Sequence, residues 1–570
     1  MPDSPRAPLR LLVAAGGNTI PAWLFSCLEE LERSGAAQVV VVLRAVPTEV
    51  RDGLSVVPRL RRFLFRAYQY LDRQLFRRSP DALAPINVGS AFPDRPVFDG
   101  ASLQSAALAR MFQEHRIDVA LDPFFLLPDG CFADLPPHGV WSIRFGQSGD
   151  PKTQSAPGFW EVVEGRASTE TRLCVRSRGE DATVSLYVSV APTDRRSVSR
   201  SQNHVYWKIS AALVRRLQML WDDPDAFRAR FKAAAAFDAV HHPSPAPGNV
   251  AVLRAGAALA RRYASDKWRD TFYREQWALA YQQGAGDQLE IGTFRRLMPP
   301  TDRFWADPFP VQVGSDYYIF HEEFLFSMGK GTIVLTVVND TATPVAQCVP
   351  ILETDCHLSY PFVFSWDGDL FMIPETAARG QVELYRCVTF PARWKLERVL
   401  LSGLRAFDST AAFLFGRWWL FANVAAYGPG TDELHLFHAD SPLGPWISHR
   451  SNPIKGDVRS ARPAGRIFEK DGQAYRPAQD CSRHYGYAVS LNRILQLDPE
   501  RYEELEVSRI TPNGSPSVAG VHTFNRVGNL TVIDCLMRSR KFRTPQWSLS
   551  PSTAGPLPPS LTHDGARSPA

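Results

Sequence analysis

The stretch HLSYPFVFSWDGDLFMIPE, residues 357–375, indicates the fold of the second half of this sequence. It opens on polar residues and a proline, continues as a β-rich run, turns at Asp367-Gly368 and returns as a second run that ends on Glu375. Aromatic and β-branched residues bounded by Gly and Asp are typical of a β-hairpin. Similar hairpins, such as DYYIFHEE, GRWWLFAN and GNLTVIDC, occur after about residue 300. The pattern therefore predicts a repeated β architecture.

Five copies of this pattern are present. They begin at Asp307-Pro308-Phe309, Tyr360-Pro361-Phe362, Ser409-Thr410-Ala411, Arg462-Pro463-Ala464 and His522-Thr523-Phe524, at intervals of 53, 49, 53 and 60 residues. A β-rich repeat near 50 residues is typical of propeller blades, each of which is a four-stranded sheet. The sequence therefore predicts an all-β five-bladed propeller.

The first residues of the five copies are predicted to surround the central channel, because the inner strands of propeller blades line it. The second strands also end on polar residues: Glu322 and Glu323, Glu375, Asn423, Gln479 with Asp480, and Asp534. Buried charges are costly unless they are paired, so this polarity favours a ligand site. Each residue alone has an equally good structural explanation, such as an Asp that caps a turn or an Arg–Asp pair between blades.

The predicted funnel holds what a sugar site needs, namely carboxylates for hydroxyl groups and aromatic faces for stacking. Asp307 is the candidate general base or nucleophile, with Glu375 and Asp480 as candidates for the acid. His522 is predicted to shuttle a proton. The predicted substrate-binding residues are Trp305, His357, Tyr360, Asp408, Arg462, Arg476, Gln479 and Tyr485, and the two arginines among them would hold a phosphate or carboxylate.

These segments resemble the N-terminal β-propeller region of plant glucosamine inositolphosphorylceramide transferases and of bacterial proteins that share it. The similar stretches are FWADPF (304–309), HLSYPFVF (357–364), MIPE (372–375), SPLGPW (441–446), NPI (452–454), SARPAG (460–465), RPAQDCSRHYG (476–486) and HTFN (522–525). The resemblance implies a propeller distantly similar to furanosidase-type glycoside hydrolases, whose first-blade Asp-Pro supplies the base or nucleophile, here Asp307. The plant proteins also carry a separate glycosyltransferase domain, for which this sequence is expected to be too short, so transferase activity is not carried over directly.

The first half has the pattern of a doubly wound α/β domain. The predicted buried strands are Leu11–Ala15, Val39–Leu43, Val119–Leu121 and Val140–Phe145. A helix is predicted after Pro21, from apolar residues at helical spacing. The Gly16-Gly17 turn lacks the spacing of a nucleotide-binding loop, so it is weak support for phosphate binding.

This half also resembles, over less sequence, the Rossmann-like formyltransferase domain of methionyl-tRNA and sugar formyltransferases. The similar stretches are IDVALDPFFLLP (117–128), HGVWSIRFG (138–146) and FWEVVEG (159–165). The resemblance implies an Asn-x-His pair and a later Asp as catalytic groups. Here the triplet is Ser142-Ile143-Arg144, in which the arginine cannot act as a base, and Asp181 is the candidate third residue. The resemblance therefore predicts a degenerate active site.

Residues 59–78 (RLRRFLFRAYQYLDRQLFRR) predict a basic amphipathic helix. Its apolar stripe is Leu60, Phe63, Leu64, Ala67, Leu71 and Leu75. Two interpretations are open: peripheral contact with an anionic membrane surface, or packing of the stripe on the α/β sheet. We favour the second, because any soluble surface helix needs an apolar stripe.

The composition, 45% hydrophobic and 22% charged over 570 residues, is typical of soluble globular proteins and excludes global disorder. A net charge of +5 does not indicate a nucleic-acid partner. The eight cysteines form no CxxC pair, which argues against a zinc or redox motif, and no apolar run is long enough to span a membrane. The predicted location is the cytoplasm, with the inner membrane surface as an alternative through residues 59–78.

Four segments are predicted: a formyltransferase-like α/β domain at 1–200, a helical connector at 201–290, the five-bladed propeller at 291–540 and a disordered tail at 541–570. The leading hypothesis is a carbohydrate-active protein of surface-glycan or glycolipid metabolism, which binds a sugar, sugar nucleotide or glycolipid precursor and transfers or hydrolyses it. The alternatives are a sugar N-formyltransferase that uses formyl-tetrahydrofolate, and a non-catalytic glycan-binding scaffold. No cofactor or metal is predicted under the leading hypothesis, and the oligomeric state is not readable from the sequence.

Overall fold

The structure is a computed structural model in which two compact units are distinguished, Met1–Tyr263 and Ala264–Ala570. It describes residues 6–44, 63–100, 105–127, 136–146, 156–177, 183–232, 236–237, 247–284, 289–341, 343–425, 430–512, 515 and 517–541. Asp181, residues 59–62 and the predicted tail from residue 542 onward lie outside these ranges.

The first unit is an α/β domain. Its strands are β1 (Leu9–Ala15), β2 (Thr19–Pro21), β3 (Ala37–Arg44), β4 (Pro85–Asn87), β5 (Val97–Asp99), β6 (Val119–Leu121), β7 (Val140–Phe145), β8 (Ser168–Arg176), β9 (Thr183–Pro192) and β10 (Ala236–Phe237). Its helices are α1 (Ala22–Ser34), α2 (Phe63–Phe76), α3 (Val88–Ala91), α4 (Ser105–Glu114), α5 (Phe159–Glu164), α6 (Val198–Asp222), α7 (Pro224–Lys232) and α8 (Asn249–Phe272), the last of which continues into the second unit.

Eight strands form one sheet in the order β10-β9-β8-β7-β6-β1-β3-β5. The five strands from β5 to β7 run parallel, whereas β8, β9 and β10 are antiparallel additions. The sheet is therefore mixed, and the formyltransferase-like Rossmann fold expected from the sequence is not established by it. The predicted strands at Leu11–Ala15, Val39–Leu43, Val119–Leu121 and Val140–Phe145 lie within β1, β3, β6 and β7.

The core of this unit lies between the sheet and two helices. One face of α1 buries Trp23, Leu24 and Leu31, and Trp23 stacks on Tyr206 of α6 at a centroid distance of 5.6 Å. Helix α6 belongs to this core rather than to a separate connector. The predicted connector at 201–290 therefore contributes to both units, because its last part, Tyr273–Gln283, is a strand of the second unit.

The second unit is a five-bladed β-propeller, as predicted. Its strands are β11 (Tyr273–Gln283), β12 (Arg295–Leu297), β13 (Arg303–Val313), β14 (Asp316–Leu325), β15 (Lys330–Val338), β16 (Pro344–Leu352), β17 (Ser359–Trp366), β18 (Asp369–Glu375), β19 (Gln381–Thr389), β20 (Arg393–Ser402), β21 (Ala406–Leu414), β22 (Arg417–Val424), β23 (Leu434–Ala439), β24 (Ile447–Ser448), β25 (Arg462–Pro463), β26 (Phe468–Lys470), β27 (Gln473–Asp480), β28 (Ala488–Leu497), β29 (Tyr502–Ile510), β30 (Val518–Gly520), β31 (Phe524–Val527) and β32 (Leu530–Arg540).

The blades follow the chain, with one exception. Blades 1, 2 and 3 are the four-stranded sheets β13–β16, β17–β20 and β21–β24, and blade 4 is built from β25–β29. Blade 5 combines the late strands β30, β31 and β32 with the early strands β11 and β12. Strand β11 pairs with β32 in antiparallel register from Tyr273–Arg540 to Gln283–Leu530. The two ends of the unit thus meet in one sheet, which closes the ring.

Candidate functional site in the propeller hub

The inner strands of blades 1, 2 and 3 share an irregularity that places a side chain at the centre. Each has a register shift at equivalent positions, and there Asp307, Tyr360 and Asp408 adopt positive φ angles of 53°, 42° and 51°. This left-handed conformation is rare for residues other than glycine and is typical of functional sites. The third member is Asp408, one residue before the predicted Ser409, because the repeat in blade 3 has Asp-Ser where blade 1 has Asp-Pro.

The second strands contribute a matching set. Glu322, Glu375 and Asn423 pair in register with the residue that precedes each irregularity, and Gln479 pairs with Arg462 in blade 4. We call the following ten residues the hub: Asp307, Tyr360, Asp408, Arg462 and His522 from inner positions, and Glu322, Glu375, Asn423, Gln479 and Asp534 from second strands. All ten are buried.

One half of the hub is a histidine between two carboxylates. Nε2 of His522 lies 3.0 Å from Oδ1 of Asp307, and Nδ1 lies 3.1 Å from Oδ2 of Asp534, without the alignment of a hydrogen bond. Asp534 also accepts the backbone N–H groups of Asp307 and His522, at 3.0 and 2.9 Å. Burial opposes a charge on His522, but Asp534 and then Asp307 outweigh it and raise its pKa to about 10. His522 is therefore an imidazolium at neutral pH.

The other half is centred on Arg462. Its Nε and Nη2 donate to the two oxygens of Asp408 at 2.6 and 2.9 Å, and Nη2 also reaches Oε2 of Glu375 at 3.2 Å. Gln479 donates to Asp408 at 2.6 Å. A bidentate guanidinium–carboxylate pair of this kind is a strong and geometrically specific contact, so Asp408 and Arg462 hold blades 3 and 4 in a fixed relation.

The hub contains more acids than its cations can neutralise. It has five carboxyl groups against Arg462 and His522. Burial, together with neighbouring carboxylates, raises the pKa of Glu322 and Glu375 well above the usual range. Burial also opposes ionisation of Asp307, but His522 outweighs it and holds the pKa of that carboxyl below its usual value. The hub therefore combines an acid whose ionised form is favoured, Asp307, with two acids whose ionisation is opposed, Glu322 and Glu375, and acid–base chemistry requires groups of both kinds.

Besides Nδ1 of His522, which faces Asp534, two hub side chains have polar atoms without a hydrogen-bond partner among the described residues. Oε1 of Glu322 and both amide atoms of Asn423 are buried and accept or donate no hydrogen bond. Nε2 of His357 lies 3.7 Å from Oε1 of Glu322, and burial lowers the pKa of this histidine, which disfavours a charge on it. Buried unpaired polar atoms are costly, so such groups call for an explanation, of which a bound hydroxyl-rich ligand is one.

Aromatic rings lie beside the hub. Tyr485 is 44% exposed, and its ring centre lies 5.1 Å from the Arg462 guanidinium carbon and 5.4 Å from His522. Trp277 packs on His522 at 4.2 Å, and the Arg462 guanidinium lies 5.1 Å from the Phe407 ring. Trp277 was not among the predicted site residues, because β11 precedes the first of the five repeats.

Several residues predicted for the site lie elsewhere. The carboxylate of Asp480, a candidate acid, pairs with Arg509 and caps Ser482. Arg476 is committed to Glu504 at 2.7 Å within blade 4. Trp305 is buried in blade 1, where it donates to Glu323 at 3.1 Å. These three contacts lie within single blades, where buried charges need partners. Glu375 and Glu322 therefore remain as the candidate acids of the hub.

Two further predicted residues are Tyr360, which belongs to the hub, and His357, which lies beside it. Tyr360 is fully buried, and its hydroxyl contacts Thr410 at 2.9 Å and accepts from the Gly465 N–H at 2.7 Å. It therefore ties three blades together and presents no free ring face. His357 accepts the backbone N–H of Gly331 through Nδ1 at 2.9 Å, which leaves Nε2 directed towards Glu322.

A metal ion was not predicted, yet one hub cluster has suitable ligand types. Atoms of Asp307, His522 and Asp534 lie within 4.8 Å of one another. A histidine ligand must be neutral, whereas the two carboxylates favour the protonated ring. In the structure these three groups form an ion triad, in which His522 lies between the two carboxylates.

The first unit contains a separate cavity of about 330 Å³. It is lined by apolar residues at the carboxyl ends of β1 and β6, among them Ala15, Ile20, Leu83 and Phe124. Chain order reverses between β1 and β6, a position where α/β sheets commonly bind ligands. The predicted triplet Ser142-Ile143-Arg144 lies within β7, next to β6, and the Arg144 guanidinium covers the Phe125 ring at 3.8 Å.

The propeller region is similar in sequence to a known protein family. Residues 297–526 match the family described as "Glucosamine inositolphosphorylceramide transferase 1, N-terminal". The glucosamine inositolphosphorylceramide transferase 1 of Oryza sativa subsp. japonica is 38% identical over 209 residues, which is 36% of this chain and 28% of that protein. The Arabidopsis thaliana protein of the same name is 38% identical over 208 residues, 36% of this chain and 27% of its own length. The resemblance predicted for the second half is thus confirmed, while the chain matches only about a quarter of these relatives.

Similar solved structures include a family 117 glycoside hydrolase of Zobellia galactanivorans, with a TM-score of 0.31, 14% identity, and coverage of 46% of this chain and 90% of that one. Another is a GH32 beta-fructofuranosidase of Bombyx mori, with a TM-score of 0.30, 12% identity, and coverage of 44% and 68%. The family match lies within the second unit, so the formyltransferase resemblance of the first half receives no support from it.

Proposed function

We propose that this protein acts in glycolipid or surface-glycan metabolism and that its propeller hub takes the sugar portion of the substrate. The family match and the relatives, which are named as glycolipid transferases, support the substrate class. The reaction we favour is glycosyl transfer, with hydrolysis as the same chemistry when water is the acceptor.

The observation that carries the proposal is the acid–base asymmetry of the hub. His522 favours the ionised form of Asp307 on the inner strand of blade 1. Burial raises the pKa of Glu375, at the end of the second strand of blade 2, well above its usual range. A structural ion-pair network would need as many cations as carboxylates, whereas this hub has five carboxyl groups and two cations. The unpartnered atoms of Glu322 and Asn423 add acceptors and donors of the kind that sugar hydroxyls satisfy.

Within this proposal each group has a distinct task. Asp307 acts as the base or nucleophile, since His522 keeps it ionised. Glu375 donates a proton to the leaving oxygen, and Arg462, beside it at 3.2 Å, holds an anionic part of the substrate or stabilises the carboxylate that forms. The exposed Tyr485 provides a stacking face at the rim.

The test is calorimetric binding of a panel of glycosides with inositol-phosphate or amino-sugar groups and of sugar nucleotides, followed by turnover assays on any ligand found. We expect one of these compounds to bind the full chain, and Asp307→Asn to lower turnover by about 10²–10⁴-fold. Glu375→Gln should have a comparable effect on turnover while it retains the contact with Arg462.

Asp480→Asn is the matched control, because Asp480 is a buried carboxylate of the same propeller that pairs with Arg509 outside the hub. Full activity in Asp307→Asn, or an equal loss in Asp480→Asn, contradicts the assignment. Binding without turnover in the wild-type chain would instead favour the non-catalytic scaffold.

The cavity of the first unit favours a second ligand site, for which a folate is the compound to test. The formyl-transfer alternative predicts that formyl-tetrahydrofolate binds the full chain and that Asp307→Asn leaves this binding unchanged. A variant such as Ala15→Trp, which fills the cavity beside Phe124, should abolish folate binding. If the wild-type chain binds no folate, this alternative is refuted.

A further inference from the structure

The basic helix of the first unit turns its apolar stripe outward. In α2 the buried residues are Phe65 and Asp72, whereas Phe63, Leu71 and Leu75 of the predicted stripe are 65%, 56% and 74% exposed. The expectation that this stripe packs on the sheet is therefore wrong for these three residues. The rotation of α2 is set instead by a polar contact on its buried face, which the hydropathy pattern of the sequence does not reveal.

That anchor is Asp72. Its Oδ2 accepts the backbone N–H of Ser199 at 2.7 Å and the Ser197 hydroxyl at 3.1 Å, at the amino end of α6. On the same face Phe65 packs edge-on against Phe159 at 5.2 Å. These contacts fix the rotation of α2, so Phe63, Leu71 and Leu75, spaced eight and four residues apart, share a solvent-facing side.

A second helix extends this surface. The backbone N–H of Leu64 donates to Oδ1 of Asn249 at 3.2 Å, which joins the first turns of α2 and α8. The neighbours of that bond, Phe63 and Val250, are both exposed, as is Leu253 one turn further along α8. We call Phe63, Tyr70, Leu71, Leu75, Val250 and Leu253 the apolar face.

The exposed charged side chains within α2 and within residues 249–263 of α8 are all arginines. Arg66, Arg78 and Arg254 are exposed, and no described carboxylate pairs with them. Asp81 pairs with Arg73 at 3.0 Å and lies 3.7 Å from Arg77. The one acid of α2, Asp72, is buried, and residues 249–263 contain none. Exposed leucine and aromatic side chains flanked by arginines are what an anionic lipid surface binds.

We propose that the apolar face and its flanking arginines form a docking surface for an anionic lipid bilayer. No described helix is long and apolar enough to cross a membrane, so the contact is peripheral: the leucine and aromatic side chains enter the headgroup region and the arginines meet lipid phosphates. This proposal rests on the first unit alone and does not depend on the sugar chemistry proposed for the hub.

The experiment is flotation of the full chain with phosphatidylcholine vesicles, with and without about 30% phosphatidylserine. We expect binding to the anionic vesicles at about 0.1 M salt and a marked decrease near 1 M. The double variant Leu71→Ser/Leu75→Ser should lower the partition coefficient about tenfold or more, and Arg66→Gln/Arg78→Gln should do so at low salt. The matched control is Leu495→Ser/Leu505→Ser, which alters two leucines that are also about half exposed but lie in the propeller.

Absence of wild-type binding to anionic vesicles overturns the proposal, as does an equal loss in the control. Sedimentation of the wild type and of each variant measures the oligomeric state and separates lipid binding from self-association. If Leu71→Ser/Leu75→Ser converts an oligomer to a monomer and vesicles are not bound, the apolar face joins copies of this chain and the lipid proposal is refuted.

Discussion

Replacement of His522 by glutamine would test whether the hub depends on a buried cation. His522 lies between Asp307 and Asp534 at 3.0 and 3.1 Å. Its pKa rises from 6.5 to about 10, a change that corresponds to at most about 5 kcal/mol of stabilisation of the folded state. Loss of one partner from a buried ion pair costs about 3–5 kcal/mol. We therefore expect His522→Gln to destabilise the propeller by about 3–5 kcal/mol at neutral pH.

The pH dependence of this difference follows from the direction of the shift. A histidine whose pKa is raised by folding contributes its full stabilisation below the unfolded value of 6.5 and loses it as the pH rises through about 10. The difference in the free energy of unfolding between wild type and His522→Gln should therefore be largest below pH 6.5 and decrease towards pH 11.

Urea unfolding, monitored by hydrogen exchange in peptides that cover β31 and β32, would measure this difference in the free energy of unfolding for the second unit alone. His484→Gln is the control, because His484 is an exposed histidine near the same blade. A destabilisation below about 1 kcal/mol, or a gap that widens with pH, would refute the ion triad.

Two other buried pairs allow related tests. Arg462→Met leaves Asp408 and Glu375 without their cation, and we expect a loss of about 3–5 kcal/mol in urea unfolding; an unchanged midpoint would contradict the bidentate contact. Burial opposes ionisation of Glu504, but Arg476 outweighs it and lowers the pKa from 4.5 to about 2, so this stabilisation is present above pH 4.5 and lost as the pH falls through about 2. Glu504→Gln should cost about 3 kcal/mol at pH 7 and leave ligand binding at the hub intact, and a loss of binding would return Arg476 to the candidate site.

The propeller could be predicted from the sequence because its signal is local and repeated. Each hairpin places a polar residue, a β-rich run, a tight turn and a second run in fixed order, so the polar ends of the second strands could be located by counting. Glu322, Glu375 and Asn423 stand in register for this reason. In blade 3 the repeat predicted Ser409 at the channel, whereas Asp408 occupies that position. The two residues are adjacent in sequence, and only the backbone irregularity distinguishes them.

Partners of charged side chains could not be predicted in the same way. Asp480 and Arg476 are as polar as the hub residues and lie in the same motif, but Arg509 and Glu504 reach them from β29. Such pairings depend on which strands are neighbours in space, which a single sequence does not show. The rotation of α2 is a similar case, since a contact between Asp72 and α6 outweighs the apolar stripe.

The pairing of β11 with β32 has a consequence for how the hub comes into being during synthesis. Blades 1 to 4 can form their hairpins as the chain emerges, because their strands are consecutive. Blade 5 must wait, since Tyr273 finds its partner only at Arg540, and contacts this distant in sequence form late. Until then β11 can pair with β12 on one side only and its other edge lacks β32, while Asp307 lacks both His522 and Asp534. A chain interrupted before residue 530 would therefore present an open ring with an exposed strand edge and unneutralised acids, a form that a cell's quality-control machinery can distinguish from the finished protein.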